Sequence, residues 1–227
     1  MLSNWEQLPD ALKNDSVKKY YDILKKKQIQ LIIKRILDII FSFLLIVICL
    51  PFLLIVSILV VVDSGLPIFY LQSRITTNYK KFKILKFRTM VNNADKLGAL
   101  VTTDNDSRIT KVGKFLRNYR IDELPQLFNI LFGSMSFVGT RPEVLKYVEK
   151  YSDKMLATLL LPAGVTSIAS IEYKDEAELL SSTNNADETY INEILPQKMK
   201  YNLEYLENFS LKNDFVIIIK TIIAVTK

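Results

Sequence analysis

Two adjacent carboxylates, Asp122 and Glu123, stand immediately before Leu124-Pro125 in a chain with a net charge of +6. Proline is favoured at the first position of a helix, so the sequence predicts a helix that starts here and runs to Gly133. The positive end of a helix favours anions, which would keep both carboxylates ionised and attract a phosphate. Helix capping also explains acids at this position, so the pair acquires a chemical meaning only from its surroundings.

Arginines surround this pair along the chain: Arg108, Arg117 and Arg120 lie upstream and Arg141 lies downstream. A guanidinium group recognises phosphate through a fixed fork of donors. Carboxylates among arginines therefore suggest a pocket that holds a hard metal ion and a phosphate together. An aspartate carboxylate attacks phosphorus when a metal and nearby cations reduce the repulsion between the two anions.

The composition excludes several other kinds of chemistry. The 227 residues include no histidine and one cysteine, Cys49. These counts rule out a Ser-His-Asp triad, a histidine base or metal ligand, an intramolecular disulfide and a thiolate zinc site. Acid–base work must fall to Asp, Glu, Lys or Tyr, and a metal must be held by oxygen. The basic block between Gln72 and Arg120 attracts phosphates, whether on lipid, nucleotide or nucleic acid.

A long apolar segment must position this chemistry. Residues Ile39 to Val62 form a run of 24 residues without a charge. As a helix the run reaches roughly 36 Å, enough to cross a bilayer, and Pro51 in its middle predicts a kink or break. Basic residues flank both ends, so the positive-inside rule leaves two topologies open. One is a spanning helix, and the other is a bent helix that enters and leaves on the cytoplasmic face.

The remaining segments complete an α+β fold that is mainly helical. Before the apolar run, residues 15–35 predict an amphipathic helix that lies either on an anionic membrane surface or on its own domain. After it, residues 68–74 and 80–90 predict a β-hairpin. Alternation along the second strand places Lys86 and Arg88 on one face. The apolar C-terminal segment is too short to span a membrane and is expected to dock on the domain or the interface.

Four further segments follow the apolar run in a fixed order: KFRTM (86–90), DSRITKVGKFLR (106–117), RIDELPQLFNILFGSMSFVGTRPE (120–143) and PAGVTSIAS (162–170). With these segments the chain resembles the monotopic phosphoglycosyl transferases, the bacterial sugar transferases that begin glycan assembly on a lipid carrier. The resemblance covers roughly residues 34 to 225. It rests mainly on the long third segment, since KFRTM alone would be a weak signal.

The resemblance implies an architecture. The apolar segment is a re-entrant helix, broken near Leu50-Pro51, with both ends in the cytoplasm. Residues 1–33 form a basic amphipathic extension, residues 34–64 the re-entrant helix, and residues 65–227 a cytoplasmic catalytic domain with interfacial helices. The expected location is the cytoplasmic face of the bacterial inner membrane, in contact with phospholipid and without a nucleic-acid partner.

The resemblance also implies a reaction. Asp122 attacks the sugar-bearing phosphate of a UDP-sugar, releases UMP and retains the phosphosugar. A polyprenol phosphate, expected to be undecaprenyl phosphate, then accepts the phosphosugar. Mg²⁺ is the expected cofactor, with Asp122 and Glu123 as its ligands, and Glu123 either binds the metal or assists proton handling.

The remaining site residues belong to the same motifs. The resemblance assigns Lys86, Arg88, Arg108 and Arg141 to phosphate binding, and the basic surroundings of the carboxylates add Arg120 to this group. Asp214 falls in the family's C-terminal pattern of an aspartate followed by apolar residues, and it is grouped with the substrate-binding residues.

The chain departs from the family pattern at several positions. Ser134 replaces the usual aspartate, Thr140 replaces a proline, and Ala163 separates Pro162 from Gly164. These changes leave the expected nucleophile intact and bear on the recognition of sugar and nucleotide, which the sequence does not identify.

Three alternatives stay open at this stage. The first is a membrane-anchored protein that binds anionic lipid or nucleic acid, for which the basic block would be suited. The second is an inactive relative that acts as a scaffold, and the third is an enzyme in which Asp122 serves only as a metal ligand and the two substrates react directly.

Overall fold

The structure, a computed structural model, describes residues 2–94, 106–181 and 185–226. Within these residues the helices are α1 Asp15–Lys25, α2 Gln28–Ser64, α3 Lys111–Asn118, α4 Gln126–Leu131, α5 Leu145–Val148, α6 Ile168–Glu172, α7 Glu176–Ser181, α8 Ala186–Thr189, α9 Leu195–Glu207 and α10 Leu211–Thr226. The strands are β1 Phe69–Thr76, β2 Lys80–Phe87, β3 Met135–Val138 and β4 Ala163–Thr166. The chain is mostly helical with one small antiparallel hairpin, which confirms the predicted fold class at this level.

Helix α2 contains the apolar run found in the sequence. It is one continuous helix from Gln28 to Ser64, with Pro51 inside it. Among the described helices it is the one long and apolar enough to cross a membrane, and only 22% of its most apolar window is buried. A long apolar helix near the N-terminus is therefore confirmed. The predicted break at Pro51 is not, because the helix continues through the proline.

Helix α2 contacts the rest of the chain near both of its ends. Near the N-terminal end, the Arg35 guanidinium donates to the carbonyl oxygens of Ile130 and Leu131 at 2.6 and 2.8 Å. These carbonyls lie in the last turn of α4, and that of Ile130 also accepts a hydrogen bond from the backbone amide of Gly133 at 3.0 Å. Near the C-terminal end, the Asp63 carboxylate accepts a hydrogen bond of 3.0 Å from the backbone amide of Val112, at the start of α3. One globular body thus holds both ends of α2.

The amphipathic helix α1 packs on its own domain. Its buried residues are Val17, Tyr20, Tyr21 and Leu24. They belong to the same hydrophobic cluster as Leu206 and Phe209, which lie at the end of α9 and just beyond it. Of the two interpretations that the sequence left open, the structure favours packing on the domain, because the apolar stripe is already covered.

The predicted hairpin is present, with Phe69 of β1 opposite Phe87 of β2 in an antiparallel register. Strands β3 and β4 pair in parallel. This second pair was not predicted, because a four-residue strand is too short to show a periodic pattern. Its strands approach closely at Gly164, where a Cβ atom would lie 2.2 Å from the backbone nitrogen of Gly139. The parallel pair brings the segment around Arg141 next to the segment that follows β4.

Candidate active site

The carboxylate pair lies in a single 3₁₀ turn, Ile121–Glu123, between α3 and α4. The preceding residue, Arg120, has a left-handed backbone with φ of 56°, a conformation that is uncommon outside glycine. This reversal lets the turn pack against β2 rather than continue α3. Pro125 precedes the first residue of α4, so the predicted helix start after the carboxylates is confirmed to within about two residues.

Glu123 is held between two cations. Its Oε1 atom lies 2.7 Å from Nζ of Lys86, and its Oε2 atom accepts from Nη1 of Arg141 at 3.3 Å, with a second, shorter contact from Nη2 to Oε1. Burial alone would raise the pKa of Glu123, but Arg141 and Lys86 hold it well below its usual value. Glu123 in turn raises the pKa of Arg141. The glutamate is therefore an ionised group that fixes the positions of two cations.

Asp122 has a different environment from its neighbour. It is only 7% exposed, and burial raises its pKa, while Lys86 acts in the opposite direction and Glu123 adds to the increase. Within the described part of the chain, no ion pair or side-chain hydrogen bond engages its carboxylate. A carboxylate that is destabilised by burial and unpaired is more reactive than a solvated or ion-paired one.

Two other arginines approach Asp122. Arg117 and Arg120 both favour its ionised form, after Lys86. The Arg117 Nε atom donates to the Thr89 hydroxyl at 3.0 Å, which orients the guanidinium. Arg120 is exposed. The structure thus places Lys86, Arg117, Arg120 and Arg141 near the carboxylate pair, and their binding of phosphate stays a prediction.

Two predicted phosphate-binding arginines make other contacts. Nη2 of Arg88 donates to the carbonyl and hydroxyl oxygens of Ser64, at 2.8 and 2.9 Å, at the C-terminal end of α2. The Nε atom of Arg108 donates to Asp106 at 2.9 Å, a hydrogen bond that lowers the pKa of Asp106 to about 2. None of these contacts involves the carboxylate pair. Strand β2 ends before Arg88, so the alternation that placed it beside Lys86 no longer applies.

Asp214 lies on α10, and its contacts join three helices. It accepts from Nζ of Lys34 on α2 at 2.6 Å and from the Tyr205 hydroxyl on α9 at 2.7 Å. Burial raises the pKa of Asp214, and the adjacent Lys34 opposes this shift. In this structure Asp214 fixes the two apolar helices relative to each other, so its binding role stays a prediction.

A cavity of about 910 Å³ opens beside the pair, and Arg120, Glu123, Gln126 and Arg141 form one part of its wall. Asp122 is not among the lining residues. The cavity wall beside the pair therefore includes Glu123 and Arg141 and does not include Asp122.

A buried ion network in the same cavity wall was missed by the sequence analysis. Lys198 Nζ lies 2.7 Å from Oε2 of Glu176, 3.2 Å from the Tyr190 hydroxyl and 3.7 Å from Oε1 of Glu143. Arg74 of β1 approaches Glu143 from the other side at 3.7 Å. These residues come from distant parts of the chain, so no local pattern joins them. The one sequence feature that could have indicated this network was Glu143, the last residue of the 120–143 motif and two residues after Arg141.

Comparison with known proteins identifies the family to which the chain belongs. The family described as "Bacterial sugar transferase" matches residues 29–227. The chain is similar to a UDP-N-acetylgalactosamine-undecaprenyl-phosphate N-acetylgalactosaminephosphotransferase of Aeromonas hydrophila, with 35% identity over 193 residues, covering 84% of this chain and 43% of the relative.

Two further relatives carry other sugars in their names. A UDP-glucose:undecaprenyl-phosphate glucose-1-phosphate transferase of Klebsiella pneumoniae is 36% identical over 200 residues, which cover 86% of this chain and 40% of the relative. An undecaprenyl-phosphate galactose phosphotransferase of Salmonella typhimurium is 33% identical over 204 residues, which cover 83% and 39%. The chain spans about two fifths of the length of these three relatives.

Proposed function

The chain belongs to the bacterial sugar transferase family, and from this premise we propose that it transfers a sugar-1-phosphate from a UDP-sugar to polyprenyl phosphate, releasing UMP. Undecaprenyl phosphate is the proposed acceptor, because the three relatives described above are named as undecaprenyl-phosphate transferases. The main structural support is the buried Asp122, which forms no ion pair with the described residues, beside a Glu123 that holds Lys86 and Arg141 at a cavity.

In the first step an oxygen of the Asp122 carboxylate attacks the phosphorus atom that bears the sugar. A new bond from Asp122 to phosphorus forms, the bond to the UMP oxygen breaks, and UMP leaves with the electron pair. Arg141 and Lys86 offset the repulsion between the anionic nucleophile and the anionic substrate. Glu123 keeps both cations in place, and its low pKa makes it a poor proton acceptor.

In the second step an oxygen of the lipid phosphate attacks the same phosphorus atom. The bond between this phosphorus and Asp122 breaks, and the aspartate carboxylate is restored. The product is a polyprenyl diphosphate sugar. No proton has to be transferred if the lipid phosphate reacts as an anion, which agrees with a site that contains no histidine.

Mg²⁺ is the proposed cofactor. It is commonly held in proteins by one or two carboxylates together with substrate phosphates. Asp122 fits this requirement because no ion pair among the described residues engages its carboxylate, whereas both oxygens of Glu123 contact Arg141 or Lys86. The described residues contain no cluster of three or more acidic, histidine or cysteine ligands. Asp122 would therefore hold the ion with the diphosphate, Glu123 would be a secondary ligand, and bound Mg²⁺ would neutralise phosphate charge.

The proposed membrane placement is re-entrant, with the catalytic domain on the cytoplasmic face of the inner membrane. The stretch of α2 from Arg35 to Asp63 would be about 42 Å long if straight. Both of these residues contact the same globular body. A helix that crossed the bilayer would place these contacts on opposite faces of the membrane. Their position on one body supports a helix that enters and leaves on one face, with Pro51 near its deepest point.

The test of this function is the release of UMP. The protein in nanodiscs would be incubated with Mg²⁺, undecaprenyl phosphate and a panel of UDP-sugars that includes the glucose, galactose and N-acetylgalactosamine forms. We expect UMP release that depends on the lipid with one sugar of the panel. Absence of release with every sugar would argue against the proposed reaction, and salt-sensitive lipid binding that persisted without both carboxylates would favour a binding protein instead.

The rate of UMP release is also expected to depend on pH in a specific way. Asp122 must be ionised to attack, and burial raises its pKa, so the rate should fall on the acid side at a higher pH than an ordinary aspartate, with its pKa of about 3.9, would give. Lys86 is the largest effect that opposes this rise. Lys86→Met should therefore move the acid limb to still higher pH.

The measurement is the profile of kcat/KM between about pH 4 and 8. Lys83→Met is the matched control, because Lys83 lies exposed on the same strand. The acid limb of Lys83→Met should coincide with that of the wild type. If the acid limb of Lys86→Met also coincided with it, the assignment of Asp122 as the group that must be ionised would be contradicted.

A further inference from the structure

The cavity beside Glu123 has an apolar part that the proposed chemistry does not use. Leu45 and Cys49 of α2 line it, as do Ala224 and Val225 of α10. A nucleotide or a sugar gains little from these side chains, because its polar groups would lose water without finding hydrogen-bond partners. The lining therefore indicates a ligand, or a part of a ligand, that is itself apolar.

The two helices reach this part of the cavity from a common point. The ion pair of Lys34 with Asp214, at 2.6 Å, joins α2 to α10. Leu45 lies eleven residues after Lys34, and Val225 lies eleven residues after Asp214. At 1.5 Å per residue, each helix extends about 16 Å from the pair to the cavity. The ion pair thus joins the two helices at one point, and further along both helices line the same cavity.

This part of the cavity opens on the outer apolar surface. Leu45 and Val225 line the cavity and are also 38% and 52% exposed. A residue that contacts both the cavity and the exterior marks a mouth. Around it, the exposed apolar side chains of the two helices include Phe52, Ile222 and Ile223. Such a surface fits a lipid environment better than water.

A second mouth is polar. Asn118, Arg120 and Lys174 line the same cavity, and all three are exposed. The cavity therefore connects an apolar entrance between α2 and α10 with a polar entrance near α3 and α6. Glu123 and Arg141 line the space that both entrances share.

We infer that the apolar entrance between α2 and α10 admits the acceptor lipid, while the UDP-sugar enters through the polar mouth. The first isoprene units of the polyprenyl phosphate lie between Leu45, Cys49 and Val225, and its phosphate reaches Arg141. This inference rests on the proposed function. It adds separate paths for the two substrates, so blocking the apolar entrance should stop the second step and spare the first.

Tryptophan substitutions at the entrance test this separation. Val225→Trp fills the mouth from its exposed side, and Cys49→Trp fills it from α2. Ile48→Trp is the control, because Ile48 is the adjacent residue of the same helix and is 71% exposed. Two quantities are measured: the single equivalent of UMP released with the UDP-sugar alone, and steady-state turnover with undecaprenyl phosphate.

We expect both entrance variants to release their equivalent of UMP within about twofold of the wild-type rate, and to lose roughly tenfold or more in kcat/KM for the lipid. Ile48→Trp should match the wild type in both quantities. Equal losses in the two half-reactions, or no loss of lipid turnover in either entrance variant, would overturn the inference. If Cys49→Trp fails to fold, Val225→Trp decides, because its side chain lies at the surface. Wild-type protein without UMP release would instead refute the proposed function.

A second readout does not depend on activity. Cys49 is the sole cysteine of the chain, so a membrane-permeant maleimide labels the wild-type protein at one place. Undecaprenyl phosphate should slow this labelling in a concentration-dependent way, and UDP-sugar or phosphatidic acid at the same concentration should not. Equal labelling rates with and without undecaprenyl phosphate, or protection by UDP-sugar instead, would contradict the assignment of the entrance to the acceptor lipid.

Discussion

Asp122→Asn is expected to abolish lipid-dependent UMP release, lowering kcat/KM by at least about 10³-fold. The amide keeps the shape of the side chain but cannot form the bond to phosphorus. Folding should be little affected, because no ion pair of the described residues engages Asp122 and because its raised pKa means that the charged form is disfavoured in the folded state. Melting temperature at neutral pH is therefore expected to be unchanged or higher.

Intact mass identifies what Asp122 does. With UDP-sugar and Mg²⁺ but no lipid, the wild type should gain the mass of one phosphosugar, and Asp122→Asn should gain nothing. Asp153→Asn is the control for a lost carboxylate, since Asp153 is exposed. UMP release near the wild-type rate in Asp122→Asn would refute the nucleophile. An inactive Asp122→Asn together with a wild type that forms no adduct would favour direct transfer between the substrates.

Glu123→Gln is expected to lower both stability and rate. The substitution leaves the partly buried cations Lys86 and Arg141 facing a neutral amide. Because their side chains are 22% and 29% exposed, the loss of unfolding free energy should stay below the roughly 3 kcal/mol that is typical of a fully buried ion pair. The rate should fall by roughly 10²-fold or more, because the two cations lose their fixed positions. Unfolding in detergent and UMP release measure the two effects.

The pH dependence of this loss follows from the low pKa of Glu123. A carboxyl group whose pKa is lower in the folded state stabilises the fold above its unfolded-state pKa of about 4.3, and this stabilisation disappears as the pH falls through the folded-state value. The stability difference between wild type and Glu123→Gln should therefore be largest near neutral pH and vanish in acid.

A double variant separates stability from activity. Adding Arg141→Met to Glu123→Gln removes a cation that has lost its partner, so part of the stability should return while UMP release stays low. Glu193→Gln is the control, because Glu193 is exposed. A Glu123→Gln protein that melts like the wild type at neutral pH would contradict the ion-pair account of this residue.

Local signals in the sequence were enough for several elements of the fold. The hairpin follows from two runs of β-branched and aromatic residues. Only the three residues Thr77–Tyr79 separate its strands, so the pairing is local in the sequence. The long helix α2 follows from composition alone. The helix start just after Asp122 and Glu123 was predicted correctly because Pro125 directly precedes α4.

These local signals did not predict contacts between residues that are distant in the sequence. Arg88 belongs to a matching motif, yet its guanidinium contacts the end of α2. Asp214 belongs to another, yet it pairs with Lys34, which lies 180 residues away in the chain. The network of Glu143 and Lys198 left no local pattern at all. The charge of each side chain was known in every case, but its partner was not.

The adjacent carboxylates separate what the sequence determines from what only the tertiary structure determines. Their presence, the absence of histidine and the basic character around them are properties of the chain, and they were sufficient to suggest phosphoryl chemistry with an aspartate at its centre. Which carboxylate is free was decided by the fold. Lys86 and Arg141, 37 residues before and 18 residues after Glu123, contact that residue, and none of the described residues forms an ion pair with Asp122. Electrostatic interaction depends on distance in space and on burial, and the order of residues determines neither until the strands and helices have packed.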